Sequence, residues 1–361
     1  MIIRAHNSLR YSFNRCSLII RSELLDNYIS VKGFSEQQAS SIMNSLQTGI
    51  EEENLVEALS NKAKASVCKV ESLISFLLKK NLLMKRESKV KTKINDTLYD
   101  RQIKFFETFE NLNEDGSVIN SSLQSKKIVL IGLGGYGSWL ALHCSRMGIR
   151  NIIGIDYDTV ELSNLHRQVI YGKKDLGVPK TDACKNFIHS MDEKINYNGI
   201  NKKILNTRDL VPVIQDADLV FNSFGYYPVE KANQTLPGII AKSCIEAGIP
   251  MMCLSTNWIG PLYIPDKQNA CYFCAINNEK IGRNLVENKE GSLIEKRAFA
   301  PYLAISCSIA VIEAMKFLTK IAPTKTVEGI LTVNPLNIEK STFVPIPHLT
   351  SCVCHKTHAE V

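Results

Sequence analysis

The chain contains no apolar run approaching the roughly 20 residues that a helix needs to cross a bilayer. Its opening stretch breaks any such run with Arg4, Asn7, Arg10 and Arg15, where a secretory signal requires unbroken apolar residues. These absences argue against a membrane partner, and the protein is read as cytoplasmic. A dense Lys/Arg stripe with interleaved aromatics is also missing, which argues against a nucleic-acid partner. The 11 cysteines are scattered through 361 residues and do not form a disulfide framework. There is no internal repeat and no low-complexity tract.

What is present is a chain with 45% hydrophobic residues, ample for a core, and a formal charge of +7. That mild excess suits an anionic ligand such as a nucleotide or an acidic peptide. Residues 1–84 read as a small α+β domain. Short β-like runs at Ser8–Phe13 and Ser17–Arg21 precede helical patterns. One pattern opens at Ser35, an N-cap with Gln38 three positions on. Another spans Lys69–Leu83, with Val70, Leu73, Ile74, Phe76, Leu77, Leu78 and Leu82 forming a wide apolar face. The ending LLKKNLLM reads as the last helix and wing entry of a winged helix-turn-helix. Residues 85–95 (KRESKVKTKIN) are charged and read as a linker.

From residue 96 onward strands alternate with helices. Lys127–Ile131, Asn151–Asp156, Ala217–Phe221 and Pro250–Leu254 are apolar strands, as expected when both sheet faces are covered, and Pro301–Leu318 is an apolar helix. The alternation predicts a Rossmann-like, doubly wound, mostly parallel sheet over 96–361. After the first of these strands comes Gly132-x-Gly134-Gly135-x-Gly137, opening a helix. Glycines there let the backbone turn tightly and approach phosphates, which the helix N-terminus attracts. By itself the motif fits NAD, FAD or ATP. Asp156 closes the next strand, 19 residues after Gly137, where an acid can take ribose hydroxyls.

The segment that follows Asp156 carries Asp158, Val160, Asn164, Leu165, Arg167 and Gln168, and Lys180 comes 12 residues later. Tyr99, Arg101 and Gln102 stand upstream. Taken together, these residues resemble the ThiF/MoeB/ubiquitin-activating superfamily, which adenylates carboxylates with ATP. The resemblance implies that Asp156 holds the ribose and that Asp158 is a further nucleotide-binding residue. It implies that Asn164, Arg167, Gln168 and Lys180 face the phosphates. Arg101 corresponds to an arginine finger supplied by the partner subunit of a homodimer. Such chemistry relies on preorganised cations, because charge spreads over phosphate oxygens in the transition state. The family uses Mg2+ and places an Asp after the strand that corresponds to Ala217–Phe221 to hold it. Here that position is Gly225, leaving Asp218, Asn222 or the phosphates themselves to do so.

Two cysteine pairs, Cys271/Cys274 and Cys352/Cys354, have a spacing that can close a tetrahedral site, and the resemblance implies a structural Zn2+ there. The second pair is C-x-C rather than C-x-x-C, so His355 competes with Cys352 as fourth ligand; His358 lies nearby. Cys307, Cys144, Cys184, Cys68 and Cys253 carry no catalytic signal, and Cys307 reads as a buried thiol. The order of a small winged-helix-like domain followed by the ThiF-like domain resembles the subgroup of that superfamily that matures ribosomally made peptides. The small domain would then bind the leader peptide, and the large one would activate a peptide carboxylate by adenylation or phosphorylation. Pantocin-type joining of neighbouring Glu side chains is one such outcome. The alternatives are an activator of a sulfur-carrier or ubiquitin-like C-terminus, and a non-catalytic, nucleotide-responsive peptide binder.

Overall fold

The computed structural model describes residues 1–6, 9–14, 17–22, 27–86, 97–106, 116–227, 232–255, 257–266, 268–279, 281, 298–334 and 336–356. The expected linker lies, from residue 87, outside the described residues, as does His358. The chain divides into two compact units, Met1–Ser121 and Ser122–Val361.

The first unit holds strands β1 (Ile2–Ala5), β2 (Arg10–Asn14), β3 (Ser17–Arg21), β4 (Ile29–Lys32), β5 (Ile50–Glu51) and β6 (Leu83–Arg86). They form two three-stranded antiparallel sheets, β5-β1-β6 and β2-β3-β4. Helices α1 (Glu36–Thr48), α2 (Leu55–Ala63) and α3 (Val67–Lys79) complete the α+β unit. The capping box read from Ser35 and Gln38 is present. Gln38 N donates to Ser35 Oγ at 3.2 Å, and Ser35 N donates to Gln38 Oε1 at 3.0 Å. The helix expected to run to Leu83 stops at Lys79, because Asn81 takes a left-handed backbone (φ 55°). Leu82 stays buried, and Leu83 begins β6, which pairs with β1. The apolar period was therefore continuous across a change of element. Further along, α4 (Asp100–Phe106) carries Arg101 on its exposed side, and α5 (Gly116–Ser125) contains the unit boundary.

The second unit is built on one sheet of eight strands in the order β14-β13-β12-β11-β10-β7-β8-β9. These are β7 (Lys127–Ile131), β8 (Asn151–Asp156), β9 (Asn196–Asn201), β10 (Leu219–Asn222), β11 (Met251–Leu254), β12 (Trp258–Tyr263), β13 (Gly329–Thr332) and β14 (Thr342–Pro345). The strands from β9 through β11 are parallel, and β12, β13 and β14 add on antiparallel. In β7, Val129, Leu130 and Ile131 are all buried. Each such side chain contributes on the order of 2 kcal/mol of transfer free energy.

The flanking helices are α6 (Gly135–Arg146), α7 (Lys180–Met191), α8 (Thr207–Ile214), α9 (Leu236–Ala247), α10 (Tyr272–Ile276), α11 (Ala300–Thr319) and α12 (Val353–Lys356). At 20 residues α11 meets the length and composition of a membrane span, in contrast to the expectation of no such run. It nevertheless packs on α6, β11 and β12, burying Leu303, Cys307, Ala310, Val311 and Ala314, as a core helix does. Its Glu313 is buried and accepts from Thr326 N and Oγ1 at 2.9 and 3.1 Å, anchoring the turn beyond the helix.

Candidate active site

The order of strands reverses at β7. The chain runs outward through β8 and β9 on one side, then returns to place β10 on the other. In open α/β sheets ligands bind outside the carboxyl ends of the strands at such a point. The four glycines lie there, between β7 and α6, with distinct duties. Gly132 has φ 79°, and a Cβ on it would lie 2.5 Å from Phe224 Cζ. A Cβ on Gly137 would lie 1.8 Å from the Gly132 carbonyl oxygen. On Gly134 it would meet only Gln168 Nε2, at 3.7 Å. Gly132 and Gly137 thus make the turn possible, while Gly134 keeps its surroundings open.

Asp156 fixes this turn. Its Oδ2 accepts from Leu133 N at 2.6 Å and its Oδ1 from Asp158 N at 2.8 Å. Each oxygen keeps a second lone pair for a ligand hydroxyl. Tyr171 Oη donates to Leu133 O at 2.9 Å, and burial raises that phenol well above its ordinary range. Asn164 is buried and caps a short turn, its Oδ1 accepting from Glu161 N at 3.1 Å. Arg167 Nη1 donates to Ser163 O at 2.6 Å, and Trp139 Nε1 donates to the Arg167 carbonyl at 3.1 Å. Gln168 is 3% exposed, and its Oε1 has no hydrogen-bond partner. A buried amide oxygen left open beside a glycine loop is available to accept a hydrogen bond there. Lys180 is buried, with Nζ 2.7 Å from Asp158 Oδ2. Arg101 belongs to the first unit.

A cavity of about 390 Å3 opens on this loop. It is lined by Gly132, Asp156 and Asp158, and also by Tyr157, Lys203, Ile204, Phe224 and Leu236. None of that second group stood out in the sequence. Lys203 sits over the Tyr157 ring at 5.3 Å. It follows β9, whose polar sequence (NYNGIN) hides a strand at the sheet edge. Ile204, Phe224 and Leu236 supply an apolar wall of the kind a nucleobase needs.

The position expected to hold magnesium is indeed without a carboxylate. Gly225 has φ 76°, which disfavours any side chain. Asp218 is no substitute. It stands just before β10, at the end away from the glycine loop, and accepts from Lys127 N at 2.8 Å and Lys126 Nζ at 3.1 Å. Asn222 donates to Pro237 O at 3.0 Å, and its Oδ1 is buried without a partner.

Elsewhere in this unit, Cys271, Cys274, Cys352 and Cys354 place their sulfurs within 4.8 Å of one another. The 271–352 and 274–354 separations are 3.5 and 3.7 Å. These are far beyond a disulfide and near the roughly 3.8 Å edge of a tetrahedron of thiolates about 2.3 Å from zinc. The set fits Zn2+ with Cys352, not His355, as fourth ligand. The His355 ring faces His348 instead, with centroids 5.3 Å apart. Hydrogen bonding among the four sulfurs draws the Cys274 and Cys352 thiols below their ordinary range and leaves Cys271 and Cys354 above it. By contrast, burial lifts Cys144 and Cys184 to about 12 and raises Cys307 well above its usual range, so these thiols are inert.

The ThiF family model matches residues 99–354. The chain belongs to the ThiF family. Curated relatives include the molybdopterin-synthase adenylyltransferase of Escherichia coli, 26% identical over 61% of this chain and 81% of the relative. The adenylyltransferase and sulfurtransferase MOCS3 of Xenopus laevis is 26% identical over 56% of this chain, and the match spans only 42% of that relative. Among solved structures, E. coli MccB with ATP superposes at a TM-score of 0.73, with 20% identity, over 98% of this chain and 99% of MccB. The microcin C7 biosynthetic enzyme MccB in complex with N-formylated MccA gives 0.74, with 19% identity, over 98% and 100%. PaaA gives 0.63, with 24% identity, over 77% and 92%. At these identities the structural likeness is one of fold.

In the first unit, β4 is an edge strand, bonded only to β3 among the described residues. A groove of about 500 Å3 runs between it and α3, with Ile29, Val31, Phe34 and Phe76 as its apolar lining and Lys32 and Lys69 as its cations.

Proposed function

We propose that this chain is an ATP-dependent maturase of a ribosomally made peptide, activating a peptide carboxylate for attack by an internal nucleophile. The observation that carries the reading is the end-to-end likeness to MccB, which takes in the small first unit as well as the ThiF portion. The first unit would capture the leader. An extended peptide can add to the open edge of β4 as a further strand, its alternate apolar side chains entering the groove and its acidic ones meeting Lys32 and Lys69.

In the second unit, backbone N–H groups at the start of α6 would bind phosphate, and Asp156 would take ribose hydroxyls. Arg167, Gln168 and Lys180 would offset charge as a carboxylate oxygen attacks phosphorus. Attack at the α-phosphorus expels pyrophosphate, and attack at the γ-phosphorus expels ADP. An internal nucleophile then displaces AMP or phosphate. Pantocin-type joining of Glu side chains fits this scheme, and Gly225 fits a Mg2+ carried mainly by the phosphates. Zn2+ at the four cysteines would be structural, since four protein ligands leave no open position.

A homodimer is supported by Ile305 and Ile312, apolar and 38% and 52% exposed on α11. Arg101 would act across it. Arg101→Ala is expected to bind ATP with nearly unchanged affinity but turn over about 10³-fold more slowly; turnover at the wild-type rate would remove the finger.

The second reading, an activator of a carrier-protein C-terminus, is favoured by the curated adenylyltransferases. Mass spectrometry separates the two. A short peptide encoded beside this chain's gene, where one is found, incubated with the protein, ATP and magnesium, is expected to lose the mass of water while AMP or ADP appears. An unmodified peptide, with a Gly-Gly-ending carrier adenylated instead, would decide for the second reading. ATP bound but consumed with neither substrate would point to a binding protein.

A further inference from the structure

Lys180 opens α7 and is 5% exposed, so its ammonium has little access to water. A buried ammonium without a partner is strongly disfavoured. Among the described residues the carboxylate that meets it is Asp158, at 2.7 Å, and the Asp158 side chain is itself 49% exposed. The two are held together by more than charge. Lys180 N donates to Asp158 O at 2.9 Å, Val160 N donates to Val178 O and Gly177 N to Val160 O, both at 2.9 Å, and Thr159 bridges Pro179. The loop after β8 and the loop before α7 are thus zipped into a short ribbon. Asp158 N is tied in turn to Asp156, and through it to the glycine turn. Asp158 is among the residues that line the 390 Å3 cavity. A polyphosphate entering there meets an anion that repels it, already paired with a cation that attracts it.

We infer that Asp158 is the resident counterion of Lys180, exchanged for a phosphate oxygen when nucleotide binds, and not itself a ligand of ribose or metal. In the empty site it holds the Lys180 ammonium in place, at 2.7 Å. When nucleotide enters, Lys180 turns to phosphate, and the half-exposed Asp158 is released to water, which solvates it at little cost. Asp158 is therefore a positioning residue acting through Lys180. The inference rests on the nucleotide reading above.

The test compares the full chain with Asp158→Asn, Asp158→Glu and the double variant Asp158→Asn/Lys180→Gln, in thermal unfolding without nucleotide and in calorimetric titration with ATP at low and high salt. Wild type is titrated first. If it binds no ATP, the nucleotide reading fails, and the exchange is overturned with it. Given binding, Asp158→Asn is expected to melt lower than wild type without nucleotide, and the double variant, with both charges gone, to recover much of that loss. Asp158→Glu should stay close to wild type. Asp158→Asn should bind ATP with a Kd about threefold to tenfold lower at low salt, the advantage shrinking as salt screens the removed charge. Weaker ATP binding by Asp158→Asn would show that the carboxylate contacts the nucleotide or its metal and would overturn the inference. So would an unchanged melting temperature without nucleotide.

Discussion

With alanine at position 137, the protein is expected to lose ATP binding and to melt well below wild type. The added Cβ would sit 1.8 Å from the Gly132 oxygen and 2.7 Å from its carbonyl carbon, inside the 3.0 Å that real Cβ atoms do not breach. Neither contact can be relieved by a side chain swinging away, because both are backbone. The turn they belong to is pinned by Gly132 N donating to Ile155 O at 2.7 Å, by Leu133 N on Asp156 and by Tyr171 Oη on Leu133 O. Opening it breaks bonds in a buried place, at a cost of about 3 kcal/mol or more. Gly134→Ala is the control. Its Cβ reaches only ordinary contact with Gln168, so the melting temperature should hold while ATP binding weakens, because the methyl intrudes where phosphate approaches. Equal melting and equal ATP affinity for Gly137→Ala and wild type would contradict the turn as described.

Removing the cysteine cluster should have a larger effect by another route. Cys274→Ser is expected to abolish stoichiometric zinc and to leave a chain that unfolds near or below growth temperature, because structural zinc binding supplies on the order of 10 kcal/mol in small domains. A chelator should lower the wild-type melting temperature in the same direction. His355→Ala should retain one zinc per chain with a shift of a degree or two, since His355 lies outside the group of four sulfurs. Metal analysis after gel filtration, with thermal scans of each variant, checks all three. Loss of zinc from His355→Ala would reassign the fourth ligand.

Much of the second unit could be read from the chain because its central strands are buried on both faces. Lys127–Ile131 and Asn151–Asp156 were bounded to the residue, since a continuous apolar run in a parallel sheet has little else to be. The edges were not legible. β9 alternates almost nothing apolar, and β12, β13 and β14 are joined by register rather than by a local motif. In the first unit the Ser35 cap was visible because capping is a four-residue event. The change from α3 to β6 was not, because Leu77, Leu82 and Leu83 are all core residues whichever element holds them. In the site, the motif residues were legible and their partners were not. The resemblance implied that Asp156 belongs near ribose and Gln168 and Lys180 near phosphate. It gave no sign that Phe224 fills the space under Gly132, that Asp156 already holds two backbone donors, or that Lys180 is paired with Asp158. Apart from the Asp158 N bond to Asp156, those facts depend on contacts between segments tens of residues apart.

The four sulfurs are not made at the same time. Cys271 leaves the ribosome 81 residues ahead of Cys352, which at usual elongation rates is a delay of about 4–16 s. Through that interval the nascent chain carries a lone Cys-x-x-Cys, whose two thiols can hold a metal only weakly and are open to oxidation. Production of the protein should therefore depend on the zinc and the reducing power available during translation more than on either supplied afterwards, and a culture starved of both should accumulate misfolded chain rather than a metal-free native protein.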